Sequence, residues 1–294
     1  MDPEGKIPVE LEGVPETALW TLYERAGEAR RPDSVIDDPR AIELVDRIAY
    51  PFEQRFGRAD GARAEWQALR ATTFDREIRR FLADHPDGTV VALGEGFETQ
   101  FWRVDNGRVT WLTVDLPEIV ELRRRLMPDD DRRRSIPRSA TDPRWFDEVP
   151  DEHGVVVTAQ GLLMYLQPAE VSAIIETCAR RFPTGSLIFD AVPGWFDRAR
   201  ALQSRAAGSR GFAIPPVPWT VDARSIRQIA SSPRIAHLRR LTPPRGRGLL
   251  NGVVVPVMQR AAAIRWQFLS IWIARFREPP ADPGRPSPAV RSGG

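Results

Sequence analysis

The sequence predicts an α/β fold, a mostly parallel sheet with helices on both faces, and three observations carry that prediction. From residue 89 to residue 190, short apolar runs alternate with helix-like stretches, the pattern of strands joined by crossover helices. The first 85 residues space their apolar side chains as helices do. With 294 residues, 42% of them hydrophobic, the chain has the material for one large domain with helical additions.

The elements follow in order. Leu19, Leu22, Tyr23 and Ala26 share one helical face. Asp38-Pro39 is a helix start, with Ala41, Leu44, Val45 and Ile48 at i, i+3, i+4 and i+7 behind it. Phe74, Ile78, Phe81 and Leu82 form a third stripe, ended by the breaker His85-Pro86-Asp87-Gly88. Thr89–Leu93 has the unbroken apolar pattern of a buried strand, and residues 109–114 repeat it. Asp115-Leu116-Pro117 closes that second run and opens a helix carrying Ile119, Leu122 and Leu126. Residues 135–139 make a weaker third strand, Val155–Ala159 a strong fourth and residues 186–190 a fifth. Between the last two, residues 161–166 lead into a helix that begins near Pro168.

Beyond residue 191 the pattern loosens. Pro215-Pro216-Val217-Pro218 marks an extended loop, and residues 221–230 a short helix. Ile235–Leu241 and residues 252–257 read as two further strands, a hairpin at the sheet edge, which brings the sheet to seven. Residues 264–276, with Trp266, Phe268, Ile271, Trp272 and Ile273, predict a helix that is apolar nearly all round. Such a stretch packs on its own domain or docks on a second subunit, so a homodimer is compatible with it. The expected organisation is a helical cap over residues 1–85 within the same domain, a core over 86–277, and a disordered Pro/Gly-rich tail over 278–294.

Composition excludes several functions. Lys and Arg total 42 against 40 Asp and Glu, a formal charge of +2. The runs Arg123-Arg124-Arg125 and Arg132-Arg133-Arg134 sit beside Asp129-Asp130-Asp131 and read as solvated helix ends, so no nucleic-acid partner is expected. No apolar run approaches the roughly 18 residues that span a bilayer. Met1-Asp2-Pro3-Glu4 has neither a basic region nor a signal stretch, so the expected location is the cytoplasm, with no membrane partner. The single cysteine, Cys178, excludes internal disulfides and a cysteine-built metal site, and no metal is expected. It shares a helical face with Val171, Ile174, Ile175 and Phe182, the place of a small core residue.

The chemistry concentrates at Val90-Val91-Ala92-Leu93-Gly94-Glu95-Gly96 and Thr110-Trp111-Leu112-Thr113-Val114-Asp115. Glycines directly after a buried strand let the backbone turn sharply and approach a ligand. An acid at the end of the next strand is placed to accept hydrogen bonds from ribose hydroxyls. Together they predict a nucleoside site. A dinucleotide fold wants a third glycine facing the pyrophosphate, whereas Phe97-Glu98-Thr99 follows here. A carboxylate would repel pyrophosphate and tolerate a cofactor with a cationic amino-acid end, which favours S-adenosylmethionine over NAD.

Several segments, in order, resemble the leucine carboxyl methyltransferase superfamily, and within it the bacterial branch of polyketide O-methyltransferases. They are Arg25-Ala26-Gly27-Glu28 with Asp38-Pro39, Arg70 with Phe74-Asp75, residues 93–101 with Trp102-Arg103, residues 114–116, residues 139–145, and residues 161–166. The resemblance runs from about Thr17 to about Val257 and implies a Rossmann-like class I methyltransferase with S-adenosyl-L-methionine as cofactor. It also implies roles: Arg70 pairing with the cofactor's carboxylate, Gly94 and Gly96 beneath its methionine portion, Asp115 on the ribose, and Asp142 near the adenine amino group. Asp142 equally caps the turn at Pro143. Gln160 departs from the pattern, since the leucine carboxyl methyltransferases carry Glu there; it is expected to line the cofactor pocket without the charge.

Methyl transfer is an in-line displacement, so aligning the acceptor oxygen and excluding water are the main tasks. A carboxylate acceptor needs no base, whereas a phenol does. His153 and His237 read as structural, no dedicated base is identified, and Tyr165 is the remaining candidate. Tyr165, Trp195, Phe196 and Tyr23 are the candidate acceptor-pocket residues, with Trp20 and Tyr23 in a lid. The expected function is therefore an O-methyltransferase for a carboxylate or phenol of a polyketide-like small molecule. Two alternatives stay open: an NAD-dependent oxidoreductase, and a catalytically degenerate methyltransferase fold that binds a partner or metabolite.

Overall fold

A computed structural model of the chain describes residues 5–207, 212–248, 252 and 268–278. It begins with β1 (Ile7–Pro8), followed by α1 (Glu16–Ala29), α2 (Pro39–Arg47), β2 (Ile48–Ala49), α3 (Phe52–Phe56) and α4 (Gly61–Asp84). Asp38 starts α2 as the sequence predicts, its side chain accepting from the Ala41 amide at 3.1 Å with Pro39 in the first turn. Leu19, Leu22 and Ala26 of α1 and Ala41, Leu44 and Val45 of α2 are buried together with Phe52 and Phe56. Phe97, from the segment after Leu93, and Ile119 and Leu126, from the helix Pro117–Leu126, complete that cluster. The N-terminal helices therefore share a core with the rest of the chain.

The alternating part comprises β3 (Thr89–Leu93), α5 (Gln100–Val104), β4 (Thr110–Asp115), α6 (Pro117–Leu126), β5 (Arg133–Pro137), β6 (Val155–Ala159), α7 (Pro168–Arg181) and β7 (Ser186–Ala191). It is followed by α8 (Gly194–Ala207), α9 (Ala223–Ala230), β8 (Ile235–Leu241) and β9 (Ser270–Phe276). The seven-stranded sheet runs β5-β4-β3-β6-β7-β9-β8. Pairings from β5 to β7 are parallel, and β9 is antiparallel to both its neighbours. Alternate side chains of each strand serve opposite faces. Val90 and Ala92 pack with Phe74, Ile78 and Leu82 of α4, while Val91 and Leu93 pack with Val171, Ile174 and Cys178 of α7. Cys178 is buried there, and burial pushes its thiol up, in keeping with a core role.

Register positions the site. Leu93, Val114 and Ala159 stand level across three strands, so β3, β4 and β6 end at one height. The chain winds to one side from β3 through β4 to β5, and to the other from β6 to β7. The crevice at that reversal, beyond the strands' carboxyl ends, is where open α/β sheets bind ligands.

One predicted element is wrong. Residues 270–276 form a strand, not a helix, and that strand sits between β7 and β8 with six of its seven residues buried. An inner strand covered on both faces is apolar on both, so Ser270–Phe276 shows no period-two alternation and imitates a buried helix. Its apolar residues are inside the sheet, not on a docking face. β8 also pairs with β9, in place of the hairpin predicted with residues 252–257; of those, residues 253–257 lie outside the described residues, as do 264–267 and the tail from 279 onward. Among the described residues, no helix is long and apolar enough to cross a membrane.

Candidate active site

The turn after β3 is built on two residues in the left-handed region, Gly94 at φ 57° and Gly96 at φ 56°. A side chain at Gly94 would place its Cβ 2.8 Å from Leu162 Cδ1, and one at Gly96 would sit 2.7 Å from Ala18 Cβ of α1. Both geometry and space therefore require glycine. The Gly96 amide donates to Asp115 Oδ2 at 2.7 Å, and the Leu116 amide donates to Asp115 Oδ1 at 2.8 Å. Two backbone donors thus fix the carboxylate at the end of β4, and each oxygen keeps a free lone pair. Burial raises the Asp115 pKa, opposed by those two amides and by Arg123.

Arg123, from α6, donates to the Gly96 carbonyl and lies 3.1 Å from Glu95 Oε2. It is buried, which corrects its reading as part of a solvated helix end; Arg133 is buried as well, its guanidinium 4.2 Å above the Trp102 ring. Arg123 ties the glycine turn to α6, a structural use of charge that a basic run conceals.

Next to the turn stands a buried charge network. Glu98 forms an ion pair with Arg25 Nη1 at 3.0 Å and accepts from Arg103 Nη2 at 2.9 Å and from the Thr99 amide at 3.0 Å. Arg103 also binds Asp75 and Asp38, each at 2.7 Å, and Arg25 reaches Asp38 at 3.3 Å. Burial pushes the Glu98 carboxyl up most strongly, but Arg25 and Arg103 together outweigh it and hold it at about 2. Glu98 is thus a paired, ionised group, not the bare carboxylate at a helix start that the sequence suggests. Two guanidiniums face three carboxylates, which leaves the network with an excess of negative charge.

Gln160, just past β6, connects this network to the cavity. Its Nε2 donates to Glu98 Oε2 at 2.8 Å, while its Oε1 is buried without a partner. The amide, which lines the cavity, therefore keeps an unmet acceptor and is backed by a carboxylate. Arg70 of α4 also reaches the wall, but its Nη1 is paired with Asp190 Oδ2 at 2.9 Å and its Nε has no partner. Asp190, at the end of β7, also accepts from the Gly161 amide at 2.7 Å.

These groups line one cavity of about 1080 Å³. Single drug-sized ligands occupy roughly 300–1,000 Å³, so this space holds a cofactor and an acceptor together. One wing is polar: Gly94, Gly96, Glu98, Asp115, Gln160 and Arg70. The other is largely apolar, with Trp20, Phe56, Trp66, Met164, Phe196 and Phe212, and Arg55 and Arg63 at its wall. Both arginines are engaged, Arg55 with Glu16 and Arg63 with Glu24, each at 2.6 Å. Tyr165 lies between the wings, and burial pushes its phenol up to about 12 against the opposing influence of Thr17 and Arg70.

Of the residues expected at the site, the structure brings Arg70, Gly94, Gly96, Asp115, Gln160, Tyr165 and Phe196 to this cavity. Asp142, Tyr23 and Trp195 do not line it. Asp142 accepts from the Arg144 amide at 3.0 Å, and Arg144 holds its carboxyl well below the usual range, the turn-capping use noted from sequence. Ser139 and Ala140, from the same turn, line the cavity instead. Tyr23 stacks on Phe52 at 5.1 Å inside the cap, and Trp195 is 51% exposed. Sequence reasoning made Asp38 only a helix start, used Arg25, Asp75 and Arg103 only as part of the resemblance, and gave no role to Asp190. Their signal was a charge on an apolar face: Arg25 between Leu22 and Ala26, and Asp75 three residues before Ile78.

Comparison with known proteins adds to this geometry. A family model described as leucine carboxyl methyltransferase matches residues 18–179. The chain is 34% identical over 263 residues to the tetracenomycin polyketide synthesis O-methyltransferase TcmP of Streptomyces glaucescens, covering 79% of this chain and 97% of that one. It is 31% identical over 211 residues to the S-adenosyl-L-methionine-dependent methyltransferase dpfgK of Gibberella zeae, covering 65% and 69%. Among solved structures, a DUF574 family protein from Streptomyces avermitilis superposes with a TM-score of 0.51 at 11% identity, over 87% of this chain and 96% of that one. At that identity the likeness shows the fold alone.

Proposed function

The chain belongs to the leucine carboxyl methyltransferase family and is an S-adenosylmethionine-dependent O-methyltransferase, and from that premise we propose that it methylates a carboxylate on an aromatic, polyketide-like acceptor. When bound, S-adenosylmethionine supplies a methyl carbon already activated by its sulfonium. The residues present fit that cofactor. Asp115 keeps a lone pair on each oxygen for the ribose hydroxyls, and the left-handed glycine turn aims the Gly96 amide at that carboxylate. The unpartnered Gln160 Oε1 is an acceptor for an ammonium group, and the negative excess behind it favours that cation. Arg70, which lines the cavity and is held by Asp190, would pair its guanidinium with the cofactor's carboxylate. Glu98, ionised behind Gln160, would supply the charge that a glutamate at this position carries itself.

One observation carries the choice of a carboxylate acceptor: among the described residues, no side chain at the cavity wall is free to act as a base near neutral pH. No histidine lines it, and the Tyr165 phenol, at about 12, stays protonated. Glu98 and Asp190 are held by arginines and Asp115 by backbone amides, while Glu95, whose carboxyl burial pushes up, is held on Arg123, Trp111 and Thr113. An acceptor ionised on its own needs only alignment. Tyr165 is then a positioning donor, and the apolar wing holds the ring system and excludes water.

The test is incubation with methyl-labelled S-adenosylmethionine and naphthoic acid, hydroxynaphthoic acids or naphthol. Base-labile methyl esters of the acids are expected. Label in the base-stable ether of naphthol, with none in the acids, overturns the carboxylate reading.

A further inference from the structure

We propose that Gln67 is a specificity residue for the acceptor, and that it selects an aromatic acid carrying a hydroxyl group over one that lacks it. The inference rests on the carboxylate reading above and says what else the acceptor carries.

Gln67 lies on α4 and lines the cavity, yet it is only 6% exposed. Its Oε1 is buried without a partner, and no other group among the described residues bonds to its amide. Four residues before it on the same helix face stands Arg63, and three after it Arg70. Both are occupied, by Glu24 and by Asp190. Gln67 is therefore the unengaged polar group between the arginine facing the polar wing and the one beside Trp20 and Trp66 in the apolar wing. A buried polar atom left unmet is costly, and the usual explanation is a missing partner.

The chemistry of that partner follows from the carboxamide, which carries one acceptor oxygen and two donor hydrogens. An unsubstituted ring satisfies neither. A carboxylate, having no hydrogen to give, satisfies only the donors. A hydroxyl satisfies the oxygen by donating and an N–H by accepting. Turning the amide over exchanges its two ends but leaves the same demand for both. Sites built to hydrogen-bond a hydroxyl reject analogues without it far more strongly than apolar pockets reject a methylene.

The experiment is calorimetric titration of the full chain, saturated with S-adenosylhomocysteine, with naphthoic acid, its hydroxy isomers and their methoxy counterparts. The methoxy acids keep size and lose the donor. At least one hydroxy isomer is expected to bind roughly tenfold more tightly than its methoxy counterpart and the parent acid, the worth of about one hydrogen bond. In Gln67→Leu that ratio falls to within about twofold, while Gln67→Glu, which retains an acceptor oxygen, keeps the hydroxy preference and weakens binding of every acid by repulsion. S-adenosylhomocysteine affinity reports that each variant is folded. Wild-type protein that binds all the acids equally, or a hydroxy preference that survives in Gln67→Leu, overturns the assignment of Gln67 alone. Binding of naphthol with none of the acids overturns the carboxylate reading and this inference with it.

Discussion

Replacing Glu98 by glutamine tests whether the charge network beside the glycine turn holds the fold together. The Glu98 carboxyl stands at about 2 in the folded chain against an ordinary value of 4.5. That gap, about 2.5 pH units at 1.36 kcal/mol each, makes the ionised form worth about 3 kcal/mol of stability. Because the folded value is depressed, this stability is fully present above about pH 4.5 and drains away as the pH falls toward 2. Glutamine resembles the protonated acid at every pH. It also leaves Arg25 and Arg103 with Asp38 and Asp75, a balanced set, which keeps the loss from growing toward that of an uncompensated buried charge. Urea unfolding followed by circular dichroism should therefore place Glu98→Gln about 3 kcal/mol below wild type near pH 7. Below pH 4.5 the difference should shrink by about 1.4 kcal/mol per pH unit. A difference under about 0.5 kcal/mol at neutral pH, or one that stays constant down to about pH 3, would refute the reasoning.

Other outcomes follow from the same structure. Asp115→Ala should weaken S-adenosylhomocysteine binding by roughly 1.5–3 kcal/mol, read by calorimetry, and unchanged affinity in a folded variant would remove Asp115 from the site. Tyr165→Phe should lower kcat less than about tenfold and leave the pH profile between about pH 6 and 9 unaltered, since a phenol at about 12 carries its proton throughout; a loss of 10²-fold or more would make it a base. Cys178 should resist iodoacetamide in the native chain and react in urea, and rapid native labelling would contradict its burial.

The parallel half of the sheet is legible in the sequence because strands covered on both faces are short, apolar and bounded by breakers, as at Thr89–Leu93 and Val155–Ala159. The same property hides β9, whose neighbours on both sides make it look like a buried helix. Gly94, Gly96 and Asp115 could be read because each is fixed by a local demand, a left-handed turn or the end of a strand. Asp190 and Arg25 could not, since their roles come from partners far away in the chain. Asp190 meets Arg70 across 120 positions, and nothing near either residue announces the other. Gln67 is silent for the opposite reason: its meaning lies in the partner it lacks.

The cap and the glycine turn form one seam. Gly96 packs against Ala18, Phe97 is buried in the core of the cap helices, and the Phe97 carbonyl accepts from Arg25 at 3.0 Å. Asp38 takes the Thr99 hydroxyl while its own oxygens cap α2 and bind Arg103. Residues 96–99 therefore face the cavity on one side and α1 and α2 on the other. A ligand that orders this turn also favours the docked cap, because binding to one arrangement stabilises whatever is packed with it. The same α4 that carries Arg70 to the polar wing carries Gln67 and Arg63 to the apolar wing, so a single helix aligns both halves of the cavity. Alignment is what an already activated methyl group requires, and here it is provided by the element that joins cap to sheet.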